Sequence, residues 1–328
     1  MRQRLRACAL ALLLCVAASV QGGPAALVRI AAASPTAARP QPAGAAPPVP
    51  LLWKVSDGRR SLYLLGSFHA LRAEDYPLSA DVQAAFDDAE SLLFEVPPAQ
   101  MQSPQLAADM LAAGTLAQGQ RLQDVLPAAT WAGVQAWAAR NGLQPAQLQP
   151  FKPWLVALTI AQREMVRQGL DPKLGLDLHF MQQGQQAGKA EAGLETAKDQ
   201  IDLLDGMSAD EQAQFLAETL DDASAEGQHQ GEQLHAAWRA GDLRSLRDGM
   251  AEQMKRDYPA LYRRIDVERN RRWLPELEAR LHAPGGHDTL AVVGALHLLG
   301  GDGVVEQLRA KGYRVERICS ACRHAAQP

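Results

Sequence analysis

A ten-residue pattern that occurs twice, near the two ends of the sequence, constrains the fold more than any other feature. Residues 62–71 and 290–299 align without a gap, and each has four apolar residues followed by Gly, a small residue, a bulky apolar residue and His. The glycine lets the chain turn sharply off a buried strand, so the histidine lies just beyond the strand's carboxyl end. Ligands bind at that edge in open α/β sheets. The repeat therefore predicts one sheet containing both ends of the chain, with His69 and His297 at a shared edge.

Short apolar runs around the first copy predict the neighbouring elements. Leu51–Val55 and Ser61–Leu65 are typical of a hairpin joined through Asp57-Gly58. Apolar positions spaced along one face predict a helix over Ser79–Glu90, and the run Ser91–Val96 predicts a strand that two prolines stop. A strand, a helix and a second strand in this order indicate a βαβ unit with parallel strands.

The C-terminal part repeats this plan, and the segment between is mostly helical. A buried strand over Thr289–Val293 precedes a helix that Asp302 caps and that runs to Lys311, and Tyr313–Ile318 is the last strand. The predicted elements of the middle are the helices Thr130–Arg140 and Trp154–Gln168, a helix opened by a capping box at Ser208–Glu211, and the strand Lys189–Leu194. A long helix over Tyr258–Leu281 is predicted to be kinked or restarted at Pro275. The predicted class is α/β (α+β), with a central mixed, partly parallel sheet built from the N- and C-terminal βα units. A large helical insertion occupies about 99–285.

The two ends of the chain lie outside this fold. Residues 1–22 carry a basic start, a short apolar run and small residues, which are typical of a secretory signal peptide, so a periplasmic or secreted protein is expected. An uncleaved anchor is the alternative, but the run is shorter than the roughly 20 residues that a span needs. Residues 23–50, rich in Ala and Pro, predict an extended tether. In the tail 319–328, Cys319 and Cys322 predict a local disulfide, with half a zinc site or a redox motif as alternatives.

Composition excludes several classes of protein. The 328 residues are 47% hydrophobic and 21% charged, with a formal net charge of −4, which is the balance of a globular protein. A disordered chain, a collagen-like chain and a protein with many membrane spans are excluded. The absence of a basic excess predicts no nucleic-acid partner. We expect no stable membrane span after signal cleavage, and the sequence does not specify an oligomeric state.

The candidate metal ligands are His69, Glu95 and His297. Glu95 ends an apolar strand, so its carboxylate is expected at the same sheet edge as the two imidazoles. Two imidazoles and a carboxylate form a reasonable site for a divalent metal with open positions for water or substrate. The alternative is an old duplication in which both histidines are structural.

Arg269 lies within an apolar stripe of the predicted helix, between Ile265 and Trp273. An arginine that faces inward must be paired, because it stays charged. Glu95 and Glu195 are the candidate partners; holding a substrate carboxylate or an oxyanion is the alternative role.

These residues together resemble the TraB/GumN family, which is related to the Tiki metalloproteases. The motifs that carry the resemblance are both G-x-x-H segments, Glu95, the run 292–300, Gly175-Leu176-Asp177, Gly193-Leu194-Glu195-Thr196 with Gln200 downstream, and Glu268-Arg269-Asn270. The similarity covers about residues 51–318. It implies a metal-dependent hydrolase, with peptidase as a candidate class, in which the paired histidines and a glutamate are active-site residues. For Asp177 we favour a structural role.

Two functional hypotheses follow. In the first, the chain is an exported metal-dependent hydrolase of peptides or small molecules, with Mn, Co or Zn held by the three candidate ligands. Glu195 would then serve as the base or a fourth ligand, and Arg269 with Asn270 would orient substrate. In the second, a non-catalytic protein binds a peptide, haem or a metal ion in the same pocket.

Overall fold

A six-stranded mixed sheet forms the centre of the fold in the computed structural model, which describes residues 46–58, 60–282 and 287–324. The strands are β1 (Leu52–Ser56), β2 (Ser61–Ser67), β3 (Ser91–Phe94), β4 (Ala190–Gly193), β5 (Thr289–Gly294) and β6 (Arg314–Arg317). Their spatial order is β4-β3-β5-β2-β1-β6. The predicted α/β (α+β) class with a sheet built from both ends of the chain is confirmed.

The two copies of the repeated pattern are neighbours in this sheet. β2 and β5 pair in parallel, with Leu65 opposite Val292 and Ser67 opposite Gly294. All residues of both strands are buried, which explains their continuous apolar sequences, because helices cover both faces of a parallel sheet. β3 runs parallel to β5 on the side of β5 that faces away from β2. The two strands of the predicted βαβ unit, β2 and β3, are therefore parallel, but β5 lies between them. β1 forms the predicted hairpin with β2.

Helices fill the predicted insertion and cover the sheet. The α-helices are α1 (Ala80–Asp88), α2 (Pro98–Met101), α3 (Pro104–Ala113), α4 (Leu122–Val125), α5 (Ala128–Arg140), α6 (Pro153–Arg167), α7 (Leu176–Ala187), α8 (Ala197–Asp205), α9 (Ala209–Asp222), α10 (Ala225–Ala240), α11 (Leu243–Leu246), α12 (Gln253–Asp257), α13 (Pro259–Tyr262), α14 (Glu268–His282), α15 (Val304–Ala310) and α16 (Ser320–His324). The capping box predicted at Ser208 is present at the start of α9. No helix in the described ranges is long and apolar enough to cross a bilayer.

The long C-terminal helix differs from its prediction. The helix is interrupted by a π-helical segment over Arg263–Val267, and it does not restart at Pro275, which lies inside the continuous α14. A π turn accommodates an extra residue by widening the helix. Asp302 also does not cap α15, whose N-cap is Gly303. The carboxylate of Asp302 accepts a hydrogen bond from Lys255 Nζ at 2.7 Å instead, so an ion pair replaces the expected cap.

The predicted tether is packed against the fold where it is described. The signal peptide and residues 23–45 lie outside the described ranges. Residues 46–50 approach α10, where the Val49 amide donates to the Arg239 carbonyl at 2.8 Å, and Pro48 and Pro50 are buried. These residues therefore pack against the domain, because extended, proline-rich backbone can lie along a surface while its free amides find acceptors.

The C-terminal cysteines form the predicted local disulfide. Cys319 and Cys322 are bonded, with Cα atoms 5.3 Å apart. Between them, the Ser320 amide and hydroxyl donate to the Asp81 carboxylate at 2.7 and 2.6 Å. These bonds attach the end of the chain to α1.

Glu218 of α9 is a buried carboxyl group. The residue is 4% exposed, and neither carboxyl oxygen has a hydrogen-bond partner among the described residues. Burial, with further repulsion from the carboxylates of Asp222, Asp257 and Asp221, raises the pKa of Glu218 from 4.5 to about 9. The folded protein therefore holds a proton here that the unfolded chain releases at lower pH.

We expect the Glu218→Gln variant to gain stability over the wild type as the pH rises from about 5 towards 9. In this window the folded state binds more protons than the unfolded state, so raising the pH favours unfolding of the wild type. Thermal denaturation across the window measures the difference in Tm, which should be small at the acidic end and grow steadily. Asp210→Asn, an exposed change on the same helix, is the control. A difference that does not vary with pH would contradict the prediction.

Candidate functional site

The carboxyl ends of β2, β3 and β5 bring the three predicted metal ligands around one glycine. A methyl group at Gly294 would lie 3.1 Å from Glu95 Oε1, 3.4 Å from His69 Nε2 and 3.5 Å from His297 Cδ2. The Gly294 amide also donates to Glu95 Oε1 at 2.7 Å. The absence of a side chain at Gly294 therefore leaves room for the three groups to meet.

His69 is held by a carboxylate. Its Nδ1 lies 2.7 Å from Asp177 Oδ2, which also accepts a hydrogen bond from Ser67 Oγ at 2.5 Å. Because Asp177 occupies Nδ1, the ring is oriented with Nε2 towards Gly294. Asp177 lies at the start of α7, and the Leu176 amide donates to the Phe68 carbonyl at 3.1 Å. Contact between this helix end and the loop after β2 thus fixes the pair.

His297 has an analogous arrangement. Its Nδ1 lies 2.7 Å from Asn270 Oδ1 and 3.1 Å from Asp266 Oδ1. The amide of Asn270 donates to the same Asp266 oxygen at 3.1 Å and to the Asp302 carbonyl at 3.0 Å. An acceptor at Nδ1 fixes the tautomer with its proton there, so Nε2 carries the lone pair.

Arg269 links the predicted site residues. Its guanidinium donates to Glu95 Oε2 at 2.5 Å and to His297 Nε2 at 3.0 Å. Its Nε lies 3.0 Å from Glu195 Oε1, and its Nη2 makes a second bond to the same oxygen. The guanidinium carbon lies 4.7 Å from the centre of the Trp273 ring. Both partners proposed from the sequence are therefore confirmed, and one arginine contacts both.

Glu195 and Gln200 complete the cluster beyond the end of β4. The Glu195 amide donates to the Glu95 carbonyl at 2.9 Å, which extends the β3–β4 pairing as far as the two carboxylates. Gln200 of α8 donates to Glu195 Oε1 at 2.9 Å and to Glu95 Oε2 at 3.2 Å. Trp273 Nε1 donates to Glu195 Oε2 at 3.2 Å.

Burial and the neighbouring charges act in opposite directions on the ionisable groups. Burial alone would raise the pKa of Glu95, but the positive charge of Arg269, with the two imidazoles, lowers it to about 2. Burial would lower the pKa of His69, yet the Asp177 carboxylate raises it above its ordinary value. The carboxylates of Glu95 and Glu195 outweigh desolvation at Arg269 and raise its pKa, so the guanidinium is always charged.

The cluster is enclosed by protein. His69 is 6% exposed, and Glu95, Arg269 and His297 are each 2% exposed or less. Charges in such surroundings interact more strongly than at a surface, because little water screens them.

The structure brings all the predicted site residues into one cluster. They are His69, Glu95, Glu195, Arg269, Asn270 and His297. Asn270 orients His297 and is set back from Gly294. Asp177, for which a structural role was favoured, contacts His69, while Ser67 and Asp266 had no predicted role. The motif Gly175-Leu176-Asp177 was the signal for Asp177, whereas nothing in the sequence distinguishes Ser67 from other small residues.

Two of the three expected metal ligands, Glu95 and His297, are engaged with Arg269. No group of three or more His, Cys, Asp or Glu side chains that could hold a metal ion occurs in the part of the chain that the structure describes. Glu95 Oε1 and His297 Nε2 lie 3.9 Å apart, and the cationic guanidinium contacts both residues. In this arrangement the residues do not fit a metal ion. Binding of a divalent metal therefore stays a prediction from the sequence.

A model of the TraB/PrgY/gumN family matches residues 51–317 of this chain. The chain belongs to this family. The similarity noted from the motifs is thus confirmed, and the matched range includes every predicted site residue. Comparison with curated proteins and with solved structures gave no match. For this TraB/PrgY/gumN protein, the roles of individual residues must therefore be argued from the geometry.

The close approach of Gly175 to the loop after β2 gives a prediction about stability. A Cβ at Gly175 would lie 2.3 Å from the His69 carbonyl oxygen, and this contact is with backbone that cannot rotate away. We expect Gly175→Ala to lower the free energy of unfolding by about 1–3 kcal/mol, the usual range for overpacking. Chemical denaturation measures the loss. Gly301→Ala, where a Cβ would meet nothing within 4 Å, is the matched control and should change little. Equal effects of the two changes would refute this interpretation.

Proposed function

We propose that this TraB/PrgY/gumN protein is a hydrolase that cleaves ester or amide bonds at the Gly294 edge of the sheet. The observation that carries the proposal is the buried Asp177–His69 pair, whose Nε2 points to the same glycine as Glu95. A histidine held by a carboxylate through Nδ1 is the arrangement of a general base. The substrate class implied by the family resemblance is a peptide or a small molecule.

In this proposal His69 Nε2 accepts a proton from the attacking water. Asp177 holds the ring in the required tautomer and stabilises the imidazolium that forms, while Ser67 fixes the Asp177 carboxylate through its hydroxyl. The fixed positive charge of Arg269, which contacts Glu95 and His297 at the same edge, would stabilise negative charge that develops on the carbonyl oxygen. The raised pKa of His69 makes it a stronger base but reduces its neutral fraction at low pH.

The export of the chain is part of this proposal. The N-terminal sequence supports a periplasmic or secreted protein, and the Cys319–Cys322 disulfide is consistent with an oxidising compartment. Dependence on Mn, Co or Zn is implied by the resemblance alone. Adding and removing these ions in the assay below tests it separately from hydrolysis.

One observation favours a second function, that of a non-catalytic binding protein for a peptide, haem or a metal ion. The site side chains are almost fully buried, and their polar atoms bond mainly to one another, as in a structural network. Such a protein would bind a ligand at this edge without turnover. Ligand binding with no hydrolysis in the wild type would support it.

We expect His69→Ala to reduce the rate of hydrolysis by about 100- to 10,000-fold, the usual contribution of general acid–base catalysis. The measurement is turnover of a library of peptides and esters by purified protein, with and without a chelator. His229→Ala, a change at an exposed histidine outside the site, should retain wild-type activity. Unchanged turnover in a folded His69→Ala protein would rule out His69 as the base.

The pH dependence of kcat/KM tests the pairing with Asp177. Activity should rise with pH as His69 loses its proton, with a midpoint above its ordinary value because the Asp177 carboxylate raises its pKa. Asp177→Asn removes that negative charge and leaves the burial, so the midpoint of the variant should move to lower pH. A midpoint that stays in place would show that His69 does not control the profile.

A further inference from the structure

We propose that Arg269 is the resident cation of this site, and that its guanidinium takes the position and charge that the family resemblance gives to a divalent metal. The inference concerns the binding of ions, so it does not depend on whether the protein is a hydrolase. It arises from a disagreement between the donor atoms present and the metal they were expected to hold.

The guanidinium uses its donors on the residues that a metal would need. Nη2 donates to Glu95 Oε2 at 2.5 Å, and Nη1 donates to His297 Nε2 at 3.0 Å. Nε donates to Glu195 Oε1 at 3.0 Å. Two expected metal ligands and the expected catalytic carboxylate therefore converge on one planar cation.

The acceptor atoms of these residues are already engaged. Glu95 Oε1 accepts from the Gly294 amide at 2.7 Å, and Glu95 Oε2 accepts from Arg269 and from Gln200. His297 Nε2 is the lone-pair atom that a metal would use, because Nδ1 faces Asn270. A zinc ion requires donors at about 2.0–2.2 Å, so it would have to displace the arginine from both residues.

The balance of charge at the site also disfavours a metal ion beside Arg269. A guanidinium in contact with Glu95 and Glu195 offsets one of the two negative charges that would attract a dication. A dication beside it would be repelled at close range in a region that water does not screen. Removal of the guanidinium alone would leave two buried carboxylates unpaired, and that arrangement favours binding of an external cation.

The surroundings also select arginine over other cations. The plane of the guanidinium presents its donors as a fork, and its face lies 4.7 Å from the centre of the Trp273 ring. Lysine offers one nitrogen and loses its charge more readily when buried. The site therefore has a positive charge that does not depend on the supply of metal.

The experiment measures metal binding by the full chain rather than activity. Wild type, Arg269→Ala and the exposed control Arg272→Ala are dialysed against chelator and then titrated with Mn²⁺, Co²⁺ and Zn²⁺. Calorimetry, elemental analysis and Tm report binding. We expect wild type and Arg272→Ala to hold no ion above background. Arg269→Ala should bind one of these ions, with a rise in Tm of about 5 °C at a hundredfold excess over Kd. Adding Glu95→Gln to Arg269→Ala should abolish this gain.

A second measurement covers the case in which Arg269→Ala does not fold by itself. Refolding is then carried out with ethylguanidinium or with the three metal ions. Recovery with either supports the proposal, since both replace the missing cation, and ethylguanidinium should compete with metal for the variant. A tightly bound ion in wild type that is lost in His297→Ala would overturn the proposal. So would a folded Arg269→Ala that gains no affinity, or a variant that neither cation restores.

Discussion

The charge of Arg269 cannot be neutralised by loss of a proton, and it lies where almost no water reaches it, so the surrounding chain must supply its partners. Those partners come from distant parts of the sequence. Glu95 follows β3, Glu195 follows β4, and His297 follows β5. Each lies at the carboxyl end of a parallel strand, so the order of the strands brings them together. One buried cation therefore links the sheet topology to the chemistry of its edge.

Two glycines allow this convergence. Gly294 leaves the space in which His69, Glu95 and His297 approach one another, and Gly175 lets the start of α7 contact the backbone of His69. The contact at Gly175 places Asp177 beside the imidazole of His69. A side chain at either position would compete with a polar group for the same volume, and in a packed interior neither can easily move aside. Lack of space for a side chain thus explains why glycine occurs in the repeated pattern and in the Gly-Leu-Asp motif.

Much of this arrangement could be predicted from the sequence, and the failures share a physical cause. The repeat placed His69 and His297 at one sheet edge, and the apolar stripe showed that Arg269 faces inward. The π turn before α14 and the use of Asp302 in an ion pair could not be predicted, because they depend on tertiary contacts that override local preference. The contact between Asp177 and His69 joins residues 108 positions apart. Periodicity along one helix carries no information about such pairs.

Carboxylates lie beside both imidazoles and the guanidinium of the site. Two carboxyl groups, those of Glu95 and Glu195, contact the guanidinium, while those of Asp177 and Asp266 contact the imidazoles of His69 and His297. His297 accepts a hydrogen bond from Arg269 through Nε2, and its Nδ1 faces Asn270. At His69 the Asp177 carboxylate raises the pKa of the imidazole despite burial. The same excess of carboxylates makes His69 a strong base and makes the permanent charge of Arg269 necessary. The raised proton affinity of His69 and the permanent charge of Arg269 therefore both follow from the negative charge of the nearby carboxylates.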